Sequence, residues 1–158
     1  VLAVTLLAEM DKSYRILLLG TGEQVETVER THAALNGTIL VNARQMLGDD
    51  VRFEQLVPAA DAGVISAPDR LALIPVLACM AGGLPLVGPA TGPVSELLED
   101  HHTALLYWPR TSRKLAQRLL TLMESPILRR KLSDQSRAEA YELYSVSRFL
   151  DEMRRIYG

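Results

Sequence analysis

Short apolar runs alternate with helix-patterned segments along this chain at a spacing of about 25 residues, and that spacing limits the folds open to it. The run over 14–19 ends at Gly20, and Gly20-Thr21-Gly22-Glu23 supplies a turn. Val25, Val28, Ala33 and Leu35 then share one helical face, closed by Asn36-Gly37, where glycine can take the left-handed cap. A second strand is expected over 38–41. Asp49 or Asp50 can cap a helix carrying Val51, Phe53, Leu56 and Val57, and 62–66 forms a third strand. A helix over 72–81 follows, with Pro75 in its first turn and the Gly82-Gly83 pair as its stop. Then come a strand over 85–88, a short helix over 93–98 opened by proline, and a strand over 104–107. From about residue 111 the chain is helical. Ser112 is expected to cap one helix, Ser125-Pro126 to open a second with Leu128 and Leu132 on one face, and Ser145 to open the last.

Strands alternating with helices imply an α/β fold, a doubly wound parallel sheet covered on both faces. Leu2, Leu6, Leu7 and Met10 fall at helical spacing ahead of the first predicted strand. Because a doubly wound domain does not normally open on a helix, the chain is expected to lack the first strand of the sheet and the loop after it. At 158 residues and 48% hydrophobic, residues 1–158 suit one domain with a substantial core.

Charge excludes some functions. With 17 basic and 19 acidic side chains the formal net charge is −2, so no global field draws in a polyanion and nucleic acid is not an expected partner. The one cysteine, Cys79, cannot form an internal disulfide and lies between Ala78 and Met80 on an apolar helix, as a packed thiol in a reducing compartment would. No apolar run reaches the roughly 20 residues that span a bilayer, and no secretory leader pattern is present; a cytoplasmic location is expected.

Chemistry-bearing residues cluster around 68–96. Cys79-Met80-Ala81-Gly82-Gly83-Leu84-Pro85 and Gly92-Pro93-Val94-Ser95-Glu96 frame a helix, a strand and a glycine turn. Together they resemble the donor-site segment of the family 4 (group 1) glycosyltransferases, whose GT-B fold faces two Rossmann-like domains across a cleft. In that family the segment runs as an acid, seven residues, a glutamate, then Ala-Met-Ala-x-Gly-x-Pro, a strand and a Gly-x-x-Glu turn. Counted onto this chain, the first acid falls on Arg70 and the second on Ala78; Asp69 takes the first place if the loop shifts by one. The motif is degenerate at both carboxylates.

The resemblance covers nearly the whole chain and implies the C-terminal, nucleotide-sugar-binding domain. Gly20 and Gly22 would form the glycine turn near the nucleotide, and Asn42 and Arg44 would lie where the family contacts the base. Arg70, Leu71 and Ala72 would open the helix whose amides touch the donor diphosphate, and Thr91, Gly92 and Glu96 would form the second glycine turn. The implied partners are a nucleotide-diphosphate sugar and an N-terminal acceptor-binding domain upstream, through which the protein could sit at the inner membrane. No cofactor and no metal are implied, and no residue is assigned as catalytic. In the family the two acids face the transferred sugar and accept from the ribose hydroxyls. Arginine has no acceptor and alanine has neither donor nor acceptor, so neither role passes on.

Two readings stay open: a glycosyltransferase domain, and a catalytically degenerate domain kept as a binding or structural module. A nucleotide-sugar epimerase would need acids and histidines outside this chain. A nicotinamide-dependent dehydrogenase would need a third glycine after Gly22 and an acid closing the next strand. Adjacent His101 and His102 point apart and have no third ligand at metal spacing. Ser66 has no nucleophile-elbow context. Tyr107 and Trp108, closing the fifth strand, are read as packing residues.

Overall fold

The computed structural model describes residues 15–18, 27, 30, 39–42, 52–66 and 72–158. Among these residues five strands fall in the expected places: β1 (Arg15–Leu18), β2 (Ile39–Asn42), β3 (Gly63–Val64), β4 (Leu86–Pro89) and β5 (Ala104–Tyr107). Between them lie α1 (Phe53–Leu56), extended by a 3-10 turn (Val57–Ala59), then α2 (Leu73–Gly82) and α3 (Val94–Leu97). Three longer helices complete the chain: α4 (Ser112–Glu124), α5 (Pro126–Tyr144) and α6 (Val146–Tyr157).

Among the described residues every strand pair is parallel. β1 runs beside β2, from Arg15 opposite Ile39 to Leu18 opposite Asn42. β4 is flanked by β3, with Gly63 opposite Leu86, and by β5, with Leu86 opposite Ala104 and Pro89 opposite Tyr107. The five strands thus pair in two groups, β2-β1 and β3-β4-β5, rather than in one continuous ladder. A doubly wound sheet of order 3-2-1-4-5-6 keeps its first strand between the second and the fourth. Given positions two to six of that order, the observed strands reproduce both groups.

Both faces of the three-stranded group are covered, which is why β4 and β5 are apolar and buried at every position. Successive strand residues point to opposite faces. Leu86, Ala104 and Leu106 face one core with Val76 and Met80 of α2 and Val94 of α3. Val87, Leu105 and Tyr107 face a second core with Leu119 and Leu122 of α4 and Leu132 of α5.

Helix ends follow local chemistry, with two corrections. Thr111, not Ser112, caps α4: its backbone is extended and its Oγ1 accepts from Lys114 N at 3.3 Å, which places Ser112 inside the helix. The helix expected from Asp49 or Asp50 is one turn long and capped at Arg52, whose backbone N–H donates to Gln55 Oε1 at 2.9 Å. Pro58 lies just beyond it and cannot extend the α ladder, so the chain tightens into the 3-10 turn. Asp49 and Asp50 themselves are outside the described residues, as are the predicted helix over the first ten residues and the Asn36-Gly37 closure. Ser125 and Ser145 cap α5 and α6 as expected, accepting from Leu128 N at 3.2 Å and Arg148 N at 3.4 Å. Pro75 is the third residue of α2, within the first turn.

Long-range contacts then lock these ends. Gly83 stops α2 in the left-handed region at φ 70°, while Leu84 N donates to Cys79 O at 2.9 Å. From α5, Arg137 donates to Gly82 O at 2.9 Å and Ser133 Oγ to Gly83 O. Arg129, also on α5, donates to the terminal α4 carbonyls of Leu122, at 3.1 Å, and Met123. Helix-end carbonyls are left without partners by the helix itself, and these side chains supply them.

Candidate functional site at the carboxyl ends of the strands

A parallel sheet gathers the loops after its strands at one edge, and ligands of such folds bind there. In the three-stranded group that edge carries Ser66 beyond β3, the 90–92 turn after β4, and Trp108 to Arg110 after β5; in the two-stranded group Asn42 ends β2. Ala90 N donates to Tyr107 O at 3.1 Å, continuing the β4–β5 ladder into these loops. Arg110 Nη2 donates to Ser66 O at 3.2 Å and so ties the ends of β3 and β5 together.

The sequence-predicted residues divide between this edge and the undescribed segments. Ala72 is buried and is the N-cap of α2, with helical backbone dihedrals and no side-chain cap. Thr91 is half-buried and Gly92 exposed with φ 69°, a left-handed turn that suits glycine. The Gly92 carbonyl accepts from Ser95 N at 3.1 Å and Ser95 Oγ at 2.8 Å, which shapes the turn into α3. Glu96 lies in the first turn of α3, its side chain exposed. Asn42 is the last β2 residue, opposite Leu18. Gly20, Gly22, Arg44, Asp69, Arg70 and Leu71 lie outside the described residues. Ala78 is half-buried on α2, and a methyl group there provides no hydrogen-bond acceptor.

Arg110 was not legible as a site residue, because its partner is a backbone carbonyl 44 positions away. It also lines, with Tyr107, Thr111, Ser112 and Leu115, an open depression of about 310 Å³ where β5 passes into α4. Burial pushes the Tyr107 phenol above its ordinary range, while the Arg110 charge pulls it the other way. Trp108, expected to pack, is exposed, since β5 ends one residue earlier and the indole lies outside the core. A larger depression, about 520 Å³, lies at the α5–α6 bend and is lined by charged side chains such as Glu142 and Arg155.

The histidines sit before β5, at the opposite edge. His101 Nε2 is 3.0 Å from Arg118 Nη1, and Asp100 binds Arg118 at 3.2 Å and the Leu106 N–H at 2.7 Å. His102 lies 3.9 Å from Glu139. As expected, the two rings diverge. Cys79 is buried, and its thiol is pushed up to about 12 by desolvation.

With this geometry, the family model described as glycosyl transferases group 1 matches residues 1–125. The chain belongs to that family. This group 1 glycosyltransferase chain has no match among curated proteins. Among solved structures it resembles HepE (Alr3699) of Anabaena, crystallised with UDP and glucose, at TM-score 0.73 and 19% identity, covering 98% of this chain and 43% of that one. A glycosyltransferase of Rickettsia africae gives TM-score 0.76 at 16% identity, covering 99% and 42%. The C-terminal domain of LpcC, a group 1 family protein of Francisella tularensis, gives TM-score 0.71 at 20% identity, covering 91% and 75%. The chain therefore spans less than half the length of the first two and has the Rossmann-like fold of one half of a GT-B glycosyltransferase. No helix among the described residues is long and apolar enough to cross a membrane.

Proposed function

We propose that residues 1–158 form one donor-binding domain of a glycosyltransferase that moves a glycosyl unit from a nucleotide diphosphate to an acceptor hydroxyl. The observation that carries this reading is the parallel sheet edge of a group 1 family chain, which bears the left-handed Thr91-Gly92 turn directly after β4. Helix amides and dipole favour a phosphate group, and no metal is needed for that contact. The donor contacts are Gly20 and Gly22 after β1, Asn42 and Arg44 after β2, Arg70, Leu71 and Ala72 at α2, and Thr91, Gly92 and Glu96 after β4. The protein's part in the chemistry is positioning and stabilisation of the leaving diphosphate. The acceptor is held by an N-terminal domain upstream, and the enzyme works in the cytoplasm, peripheral to the inner membrane through that domain.

UDP, the nucleotide in the HepE complex, is a suitable probe. NMR titration is expected to show UDP binding on the order of millimolar, with shifts around Ala72 and Gly92, and uridine binding more weakly, because the anion contacts carry the affinity. UDP shifts scattered over the surface, or absent, would remove the donor-site reading.

Ala78 favours a second reading, a domain retained for binding or structure after loss of its ribose acceptor. Ala78→Glu separates the two. In a variant shown to be folded, a working donor site gains about 1 to 3 kcal/mol for UDP as a ribose hydroxyl regains an acceptor. An abandoned site gains nothing.

A further inference from the structure

Tyr107 closes β5 only 6% exposed, yet it lines the depression of about 310 Å³ where β5 passes into α4. A phenol buried to this degree usually finds a hydrogen-bond partner. Among the described residues Tyr107 Oη has none, and the one side-chain polar atom sealed from solvent without a partner is Gln135 Oε1. The Tyr107 hydroxyl therefore reaches solvent through the depression that its side chain lines. Arg110 is beside it: burial raises the Tyr107 phenol, and the Arg110 charge lowers it. A bond from Arg110 Nη2 to Ser66 O, at 3.2 Å, holds that guanidinium in place and leaves its other N–H groups without an acceptor among the described residues.

Helix α4 starts at the same place. Thr111 Oγ1 accepts from Lys114 N at 3.3 Å and Thr111 O from Leu115 N at 3.1 Å. The two amides before them, Ser112 N and Arg113 N, donate to nothing among the described residues, and the positive end of a 13-residue helix dipole lies over them. No acidic side chain among the described residues lines the depression. We propose that this depression is a site for a phosphate group, held by Arg110, Tyr107 Oη, the Ser112 hydroxyl and the first amides of α4. A carboxylate offers two oxygens in one plane. The donors here come from a strand end, a loop arginine and a helix start, and they suit the three free oxygens of a phosphate monoester. The site does not rest on the donor reading: its residues follow β5, the last strand of the three-stranded group, and none is among the proposed donor contacts.

Titration of the 158-residue chain with inorganic phosphate tests it, read by amide NMR and by the fluorescence of Trp108, the only tryptophan, with sodium chloride at matched ionic strength as the control. Saturable shifts are expected at Ser112 and Arg113, with a Kd on the order of millimolar. Tyr107→Phe removes a hydroxyl and no internal hydrogen bond, and is expected to weaken phosphate at least about fivefold. Arg110→Gln, which removes the charge, is expected to weaken it at least about tenfold. Glucose 6-phosphate in a parallel titration distinguishes the source of the group. Tighter binding than inorganic phosphate assigns the site to a phosphorylated saccharide, and equal or weaker binding to the free anion. The proposal is overturned if chloride gives the same response, if no saturable shift appears at Ser112 and Arg113, or if folded Tyr107→Phe keeps the wild-type affinity. Phosphate shifts confined to Ala72 and Gly92 would also overturn it while leaving the donor site standing.

Discussion

Cys79 and Gly83, four residues apart at the end of α2, answer to different physics. The Cys79 thiol is buried among apolar side chains, and desolvation disfavours its thiolate, raising its value from 9.0 to about 12. Because the folded value lies above the unfolded one, the associated stability is whole below about pH 9 and is lost as the pH climbs toward about 12. The urea midpoint of the wild type is therefore expected to fall more steeply above pH 9 than that of Cys79→Ala, and a thiol reagent should label Cys79 quickly only in urea. Parallel pH profiles for the two proteins would contradict this. At Gly83 the constraint is the backbone: φ is 70°, and a Cβ would meet the Arg137 guanidinium. Gly83→Ala is expected to cost about 1 to 2 kcal/mol, read from equilibrium unfolding. The Gly82-Gly83 pair announces a helix stop in the sequence. Which glycine turns left-handed, and that Ser133 and Arg137 reach back to the pair, depends on the docking of α5 against α2.

The elements show the same division. Ser125 and Ser145 are legible as caps because each stands alone before an apolar-periodic segment, and Ser125 is followed by proline at the first helical position. Thr111-Ser112 presents two hydroxyls in succession, and only the extended backbone of Thr111 decides which one caps α4. Thr111→Ala is expected to lower stability by about 1 kcal/mol and Ser112→Ala by much less, measured by urea unfolding of the two variants side by side. A larger loss from Ser112→Ala would reverse the assignment. Strand positions were legible to within one or two residues, because buried parallel strands are nearly continuous apolar runs. The short α1 was not, since a single Pro58 ends a periodic pattern that the apolar spacing alone would carry further.

At the scale of the molecule, the chain matches nearly its whole length to less than half of HepE. Glycosyl transfer needs an acceptor held against the donor, and the proposed acceptor site lies outside these 158 residues. The isolated chain is expected to produce no glycosylated product above a protein-free control when incubated with UDP-glucose and simple sugar acceptors over hours. Time-dependent transfer by the purified chain would show that the acceptor site is within it. The sequence alone determined the alternation of strands and helices, the apolar faces and the glycine turns, because each is written in residues close together along the chain. The family frame around 78–96 was readable for the same reason. Tertiary structure alone decided how the strands divide into two parallel groups, that Arg110 joins the ends of β3 and β5, that Trp108 is exposed, and that α6 is left with its apolar face open. Those features depend on contacts between residues tens of positions apart, and local spacing carries no information about which distant surfaces meet.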